Sequence, residues 1–506
     1  MTWSRIVPLF LLTVATTLGV VTGVRGDEPP APTFGILGEL PLQPLGEAST
    51  GRVRRETADR LKPQQLAGES IAEKEHSKLD SFIQDMLEAQ GDTPRLSQES
   101  KPERKPERTV ETRPLTIKPE SATEETLEDS PAEDADPVVN DGSTPPATAN
   151  VGRTPSDTTP DKAEVADEDL SPQMLALRSR IRRCLGAYYA RPENIADHSP
   201  WGVMHSMLSF GVDTRIYANG RRVNAVGFLC WNYPSRGQSI MFTRGGKLGM
   251  RVGPGVQGHE GQLLAMLAQS KVARDYPMQV NGQRFTVDDL IEYEKRTCRP
   301  NSELTFKLIG LSHYLKSDET WTSDQGQKWD IERLIQEELR QKIVGAACGG
   351  THRMMGFAYS VDRRKRQGMP VTGQFVRAQR FVEDYQRYTL SLQNPDGSFS
   401  TDWFEKRENK PDEDRKLQTT GHILEWMVFS MTDEELQTPR IIKAVDFLTN
   451  LLLNERNRKL EIGPKSHAIR ALVLYDQRVY GGRLGLGAGE ELERLWAERQ
   501  ESAYQR

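Results

Sequence analysis

From Ser171 onward, apolar residues recur at helical spacing in segments of two kinds. One kind is charged on one side and apolar on the other, as at 174–185, 330–339, 372–392 and 441–448. The other is short, carries small residues and is apolar nearly all round: 204–210, 263–268, 304–311, 354–359, 423–429 and 468–474. A helix that is apolar on every side is buried on every side. Six such helices alternating with six half-exposed ones predict an all-α fold, an inner ring inside an outer ring, which is an (α/α)6 toroid.

Punctuation between the segments agrees with this alternation. Ser171-Pro172 reads as a helix start, and Thr286 with Asp289 has capping-box spacing. Asn219-Gly220 and Asn281-Gly282 sit in similar contexts, Ala-Asn-Gly-Arg-Arg-Val and Val-Asn-Gly-Gln-Arg-Phe. Each predicts a short β-hairpin leading into a helix.

Ahead of Ser171 the pattern disappears. Residues 1–26 read as an export signal: Arg5, then an apolar run through Leu9-Phe10-Leu11-Leu12, then small residues near Gly26. An uncleaved membrane anchor is the alternative, and the only route to a membrane in this reading. Residues 27–170 hold 32 acidic and 16 basic residues among many Pro, Ser and Thr, the composition of a disordered tail. One amphipathic island, 71–89, carries Leu79, Phe82, Ile83, Met86 and Leu87 on one face. The chain's net charge of -5 over 506 residues and its mean hydropathy of -0.62 average this acidic tail with a basic domain at 171–506. The tail folds back over a basic surface or simply keeps the protein soluble. Export predicts a periplasmic or secreted protein and argues against a nucleic-acid partner. It leaves Arg363-Arg-Lys-Arg366 as a solvated loop.

The turn Gln393-Asn-Pro-Asp-Gly-Ser-Phe399 resembles the Gln-x-x-Asp-Gly-Ser-Trp repeat of the prenyltransferase and squalene-cyclase superfamily, with Phe399 in the aromatic place. That resemblance implies a terpenoid-cyclase-like α/α toroid with a central cavity opening where the inner helices begin. Cyclases of the family place an Asp-x-Asp-Asp acid there. Asp412-Glu413-Asp414 is the nearest match, and Arg415 and Lys416 follow it, so it reads as a solvated loop ahead of the helix. The family's zinc ligands have no counterpart at matching spacing, and no cofactor or metal is assigned.

Candidate chemistry comes from the starts of the predicted inner helices, which carry His205, His259, His352, His422 and His467. The third has Glu303 at its start and His313 at its end. In a toroid these starts converge on one rim, where helix dipoles favour an anionic or polar ligand. Three uses remain open. Each histidine bonds a backbone carbonyl and locks the ring; three of them, with Cys348 or Glu260, hold a metal; or Glu260, Glu303 or Glu425 works as acid or base with His259 or His422. The leading expectation is a domain binding a small molecule, lipid or anionic polymer in its cavity. The alternative is an extracytoplasmic polysaccharide hydrolase or lyase, or a cyclase-like enzyme. Cys184, Cys230, Cys298 and Cys348 have no close spacing, and their pairing is left open.

Overall fold

The computed structural model describes residues 162–494. The signal segment, the amphipathic island and nearly all of the acidic tail lie outside the described residues. Within them the protein is rich in helix, with a few two- and three-stranded sheets.

Helix α1 (Pro172–Tyr189) begins on Ser171, whose hydroxyl accepts from the Met174 N–H. The chain continues through α2 (Pro200–Phe210), α3 (Ala225–Cys230), α4 (Gln262–Gln269), α5 (Val287–Arg296), α6 (Thr305–Tyr314) and α7 (Ile331–Leu339). Then come α8 (Thr351–Arg366), α9 (Gly373–Ser391), α10 (Glu413–Ser430), the single turn α11 (Asp433–Leu436), α12 (Pro439–Glu455) and α13 (Ile462–Tyr480). Every residue of α4 and of α6 is buried, as is all of α2 except Trp201. These helices match the segments that are apolar all round.

Their neighbours follow a simple order. Helix α2 packs on α4, α4 on α6, α6 on α8, α8 on α10, α10 on α13, and α13 on α2. Around them α1 lies against α12 and α13, α5 against α4 and α6, α7 against α6 and α8, α9 against α8, and α12 against α10. Helix α3 departs from the half-exposed expectation: it is buried along its whole length, because strand β6 (Pro277–Val280) packs over it.

Both Asn-Gly hairpins form. Strands β2 (Arg215–Ala218) and β3 (Arg221–Asn224) pair antiparallel, as do β6 and β7 (Gln283–Thr286). Asn219 and Gly220 have φ of 50° and 75°, and Asn281 and Gly282 have 49° and 73°, the left-handed pair a tight hairpin needs. Thr286 and Asp289 complete the capping box of α5. The glycine-rich stretch contains a hairpin that periodicity did not reveal, β4 (Met241–Arg244) with β5 (Lys247–Met250), turning on Gly245-Gly246.

The Gln393–Phe399 turn links outer and inner helices by identifiable bonds. Asp396 accepts from the Ser398 N–H and hydroxyl and from Lys416 at the start of α10. Gln393 donates to the Arg440 carbonyl in α12, and fully buried Phe399 donates its N–H to Thr420. Gly397 sits at φ 101°, where a Cβ would come within 2.5 Å of the Lys443 carbonyl oxygen.

Three expectations are corrected. Asp412 is no loop residue: its carboxylate caps α10 by accepting from the Arg415 N–H, so the helix starts at Glu413, and Asp414 pairs with Arg458. Arg363 to Arg366 form the last turn of α8, with Arg363 and Arg364 buried, where cations offset the helix dipole. Order begins before Ser171: the Val165 N–H bonds the Tyr480 carbonyl, and Arg178 holds Val165 and Asp167. All four cysteines are free thiols, three of them buried in the core. Among the described residues no helix is long and apolar enough to cross a membrane.

Candidate metal centre

The starts of the inner helices are placed by polar side chains reaching in from outer helices. Glu338 of α7 accepts from the Leu304 N–H and the Thr305 hydroxyl at the head of α6, and from Arg353 of α8. Glu294 of α5 forms a fully buried pair with Lys307 of α6 at 2.5 Å. Burial pushes the Glu294 carboxyl up, and the adjacent ammonium opposes this.

On that frame four histidines come together. The His422 and His467 rings lie 3.9 Å apart between centroids, His352 is 5.0 Å from His467 and 5.5 Å from His422, and His205 is 5.7 Å from His467. The approach of α10 to α13 depends on small residues. A Cβ on Gly421 would lie 3.0 Å from Cα, Cβ and N of Ala468, which leaves no room for a side chain on that face.

Three of the rings are oriented by acceptors. The Nδ1 of His205 is 2.7 Å from the Trp201 carbonyl, and that of His422 is 2.7 Å from the Gln418 carbonyl. A carbonyl only accepts, so each Nδ1 carries the proton and each Nε2 keeps its lone pair. The Nδ1 of His467 is 2.5 Å from a carboxylate oxygen of Glu425, and its buried Nε2 has no hydrogen-bond partner among the described residues. Burial, with the charge of neighbouring histidines, drives His352 and His422 well below the usual imidazole range. It takes His205 and His467 to about 3. All four are neutral ligands at physiological pH. Burial pushes Glu425 up to about 8, against the attraction of Arg470.

Cys348 completes the group. Cys348, Gly349 and Gly350 have consecutive φ values of 49°, 64° and 80°, a left-handed turn that sets the thiol one helical turn ahead of His352. The glycines are required: a Cβ on Gly349 would come within 2.3 Å of the Trp403 ring, and one on Gly350 within 2.8 Å of Ile343. One donor atom from each of Cys348, His352 and His422 lies within 4.8 Å of the other two. Burial, then the carboxylates of Glu461, Glu303 and Glu425, push the free thiol up to about 11.

The remaining candidates divide. His259 lies outside the group: it bonds Glu303 at 2.7 Å, and Phe306 stands between it and His352 at 5.0 and 5.1 Å. Glu260 is exposed and faces Lys307 at 3.4 Å. Thus Glu425 alone of the three carboxylates belongs to the cluster. Two aromatic neighbours were missed in the sequence. Trp201 stacks on His205 at 3.8 Å, and Trp403, itself at φ 56°, meets His422 edge-on at 5.7 Å. The Cys-Gly-Gly run before a helix was the available signal for Cys348. Nothing in the sequence marks Trp403, which sits between two elements distant in the chain.

The first reading, histidines bonded to backbone carbonyls, holds for His205 and His422, and it leaves a metal-facing nitrogen on each. A tetrahedral zinc-class centre with bonds of about 2.0–2.3 Å sets its donors roughly 3.3–3.6 Å apart. The observed spread closes to that by small ring and thiol rotations. No protein-family model, curated protein or solved structure matches this chain.

Proposed function

We propose that this is an exported metal-binding protein built on an (α/α)6 toroid, with the metal held where the inner helices begin. The order of helix neighbours, which returns from α13 to α2, supports the toroid. The Gln393–Phe399 turn and its outer-to-inner bonding support the likeness to the prenyltransferase and squalene-cyclase superfamily. The extracytoplasmic location rests on the signal-like residues 1–26.

The observation that carries the metal reading is the donor set Cys348, His352 and His422 within 4.8 Å, beside the unpartnered Nε2 of His467. One thiolate and two or three neutral imidazoles suit a borderline-soft divalent cation, Zn(II) before Mg(II) or Ca(II). The carbonyl and carboxylate partners of Nδ1 are the outer-shell groups that fix a ligating imidazole. Binding displaces the Cys348 proton, so affinity rises with pH.

The test is metal content of the purified chain, followed by chelation and titration with Co(II). Expected is one tightly bound ion per chain and a thiolate-to-cobalt absorption band that Cys348→Ser abolishes. His422→Gln or His352→Gln should weaken binding by about 10–100-fold or more. A Co(II) spectrum unchanged by all three substitutions overturns the reading.

A catalytic role has one specific support. Glu425 bonds His467 with its carboxyl pushed up to about 8, in the range of a proton-transferring group. With three protein ligands, the metal's fourth position is free for water or substrate, as hydrolytic centres require. Activity on a polysaccharide or lipid that survives Cys348→Ser and Glu425→Gln would refute this second reading.

A further inference from the structure

The inner helices finish around a second concavity, a cavity of about 400 Å³ separate from the histidine cluster. The ends of α4, α8, α10 and α13 contribute to it, and its lining includes Lys271, Lys365, Arg366, Arg470 and Arg478 against only Asp362 and Glu383. Part of this charge is structural. Arg366 pairs with Asp362 at 2.7 Å, and Arg478 caps α10 through the Val428 and Phe429 carbonyls while pairing with Asp433. Cations in the last turn of α8 also offset its dipole.

Arg470 and Lys365 are not explained this way. Arg470 sits in the middle of α13, 5% exposed, with no ion pair among the described residues; one guanidinium nitrogen donates to the Gln269 carbonyl, and its Nε has no acceptor. Exposed Lys365 likewise has no ion pair among the described residues. A buried guanidinium in a cation-lined cavity is a site for carboxylate or another oxyanion.

The described chain starts at the rim of this cavity. Lys162 donates to the carbonyl oxygen of Arg478 and faces Asp433 at 3.5 Å. Glu164 pairs with Arg182, and the Val165 N–H is bonded to Tyr480, so the segment preceding Lys162 leaves from a fixed point beside the cations. Upstream, residues 124–136 hold seven acidic side chains and no basic one. The 25 residues from 137 to 161 reach up to about 80–90 Å when extended, far more than a return to the cavity needs. Tethering makes the encounter intramolecular, at an effective concentration in the millimolar range.

The geometry points to the cavity as the docking site for this protein's own acidic segment, residues 124–136. The acidic side chains neutralise Lys365, Lys271 and Arg470, and the anchored strap at Lys162–Val165 fixes where the tether begins. The tail then acts as an internal competitor that an external polyanion must displace.

The test uses the full chain and zero-length carbodiimide cross-linking, read by mass spectrometry. At about 10 mM salt, where screening is weak, amide links should join residues 124–136 to Lys365 or Lys271 within one chain. They should fall to background at about 1 M salt, and when the seven acids are replaced by their amides. Lys365→Gln, at an exposed position, should remove its own links with no change in the far-ultraviolet dichroism. A mixture of isotopically light and heavy chains separates links within a chain from links between chains. Links only between chains, links spread evenly over the other surface lysines, or links unaffected by salt each overturn the proposal. So does protection of the cavity lysines by inorganic phosphate or citrate with no effect of the acid-to-amide changes, which would assign the cavity to a free anion. None of these results depends on metal, so the two readings fail separately.

Discussion

Replacing Gly421 tests the contact that stacks His422 on His467. In Gly421→Ala the new Cβ is 3.0 Å from three atoms of Ala468, well inside the roughly 3.5–4.0 Å of an ordinary carbon contact. Both partners are helix backbone or its first carbon, so no side chain can swing away. Helices α10 and α13 must move apart locally, at a cost of about 1–3 kcal/mol for overpacking. Alanine in a helix interior returns about 0.8–1 kcal/mol relative to glycine. The net expectation is destabilisation of up to about 2 kcal/mol for alanine, and more for Gly421→Val, which adds two further carbons to the same gap. Ala468→Gly in the Gly421→Ala background removes one of the three close atoms and should restore part of the loss. Urea denaturation of the metal-free protein measures the stabilities, and Co(II) titration should show affinity falling in the same order. If Gly421→Ala instead gains the full helix-propensity increment, and binds Co(II) as before, the close approach of α10 and α13 is wrong.

Three other perturbations follow from groups already placed. Lys307→Met strands the fully buried Glu294 carboxyl and should cost about 3–5 kcal/mol in thermal denaturation, whereas the double change with Glu294→Leu should recover most of it. Gly349→Ala drives a Cβ into Trp403 at a φ of 64°, so it should lower stability by about 1–3 kcal/mol and weaken Co(II) binding. Glu193 is held down to about 2: burial would raise it, but the hydrogen bond from His198 and the Lys465 ammonium outweigh that. Its folded-state value lies below its unfolded one, so it contributes stability above about pH 4.5 that disappears as pH falls toward 2. The contribution is at most about 3 kcal/mol. Glu193→Gln should flatten that part of the acid unfolding curve, and an unchanged curve would show that the pair between β1 (Glu193–Asn194) and α13 is not formed.

The alternation of helix types was legible because burial on all sides removes polar residues from every face, as in α4 and α6. The Asn-Gly hairpins were legible because few other residues accept two consecutive left-handed conformations. Helix ends were less so. Asp412 looked like part of a charged loop, since its capping bond to Arg415 becomes visible only once the chain turns there. Three of the five rim histidines, His352, His422 and His467, were correctly expected at one place together with His205. His259 was separated from them by Phe306, a residue whose apolar character gave no sign of where its ring would stand. The metal donors were not assigned because Cys348, His352 and His422 come from a turn and two helices, and no sequence spacing links the three.

Backbone strain is concentrated where the chemistry is. Of the non-glycine residues with positive φ, the asparagines serve turns, where their short side chains tolerate it. Cys348 and Trp403 have no such excuse: a tryptophan at φ 56° is a costly conformation, and the two face each other across Gly349. Neither is needed to close the helix packing, which rests on unstrained apolar residues. Both are needed to set a thiol beside His352 and an indole edge against His422. Strain of about 1–3 kcal/mol per residue persists only where surrounding structure over-determines it, and here the glycines, Ile343 and the neighbouring helices do so. A cluster held at that cost, with four neutral imidazoles and three of them oriented, is organised for a ligand that repays it. A bound cation does so directly, because its bonds to sulfur and nitrogen form only in the folded chain and add to its stability.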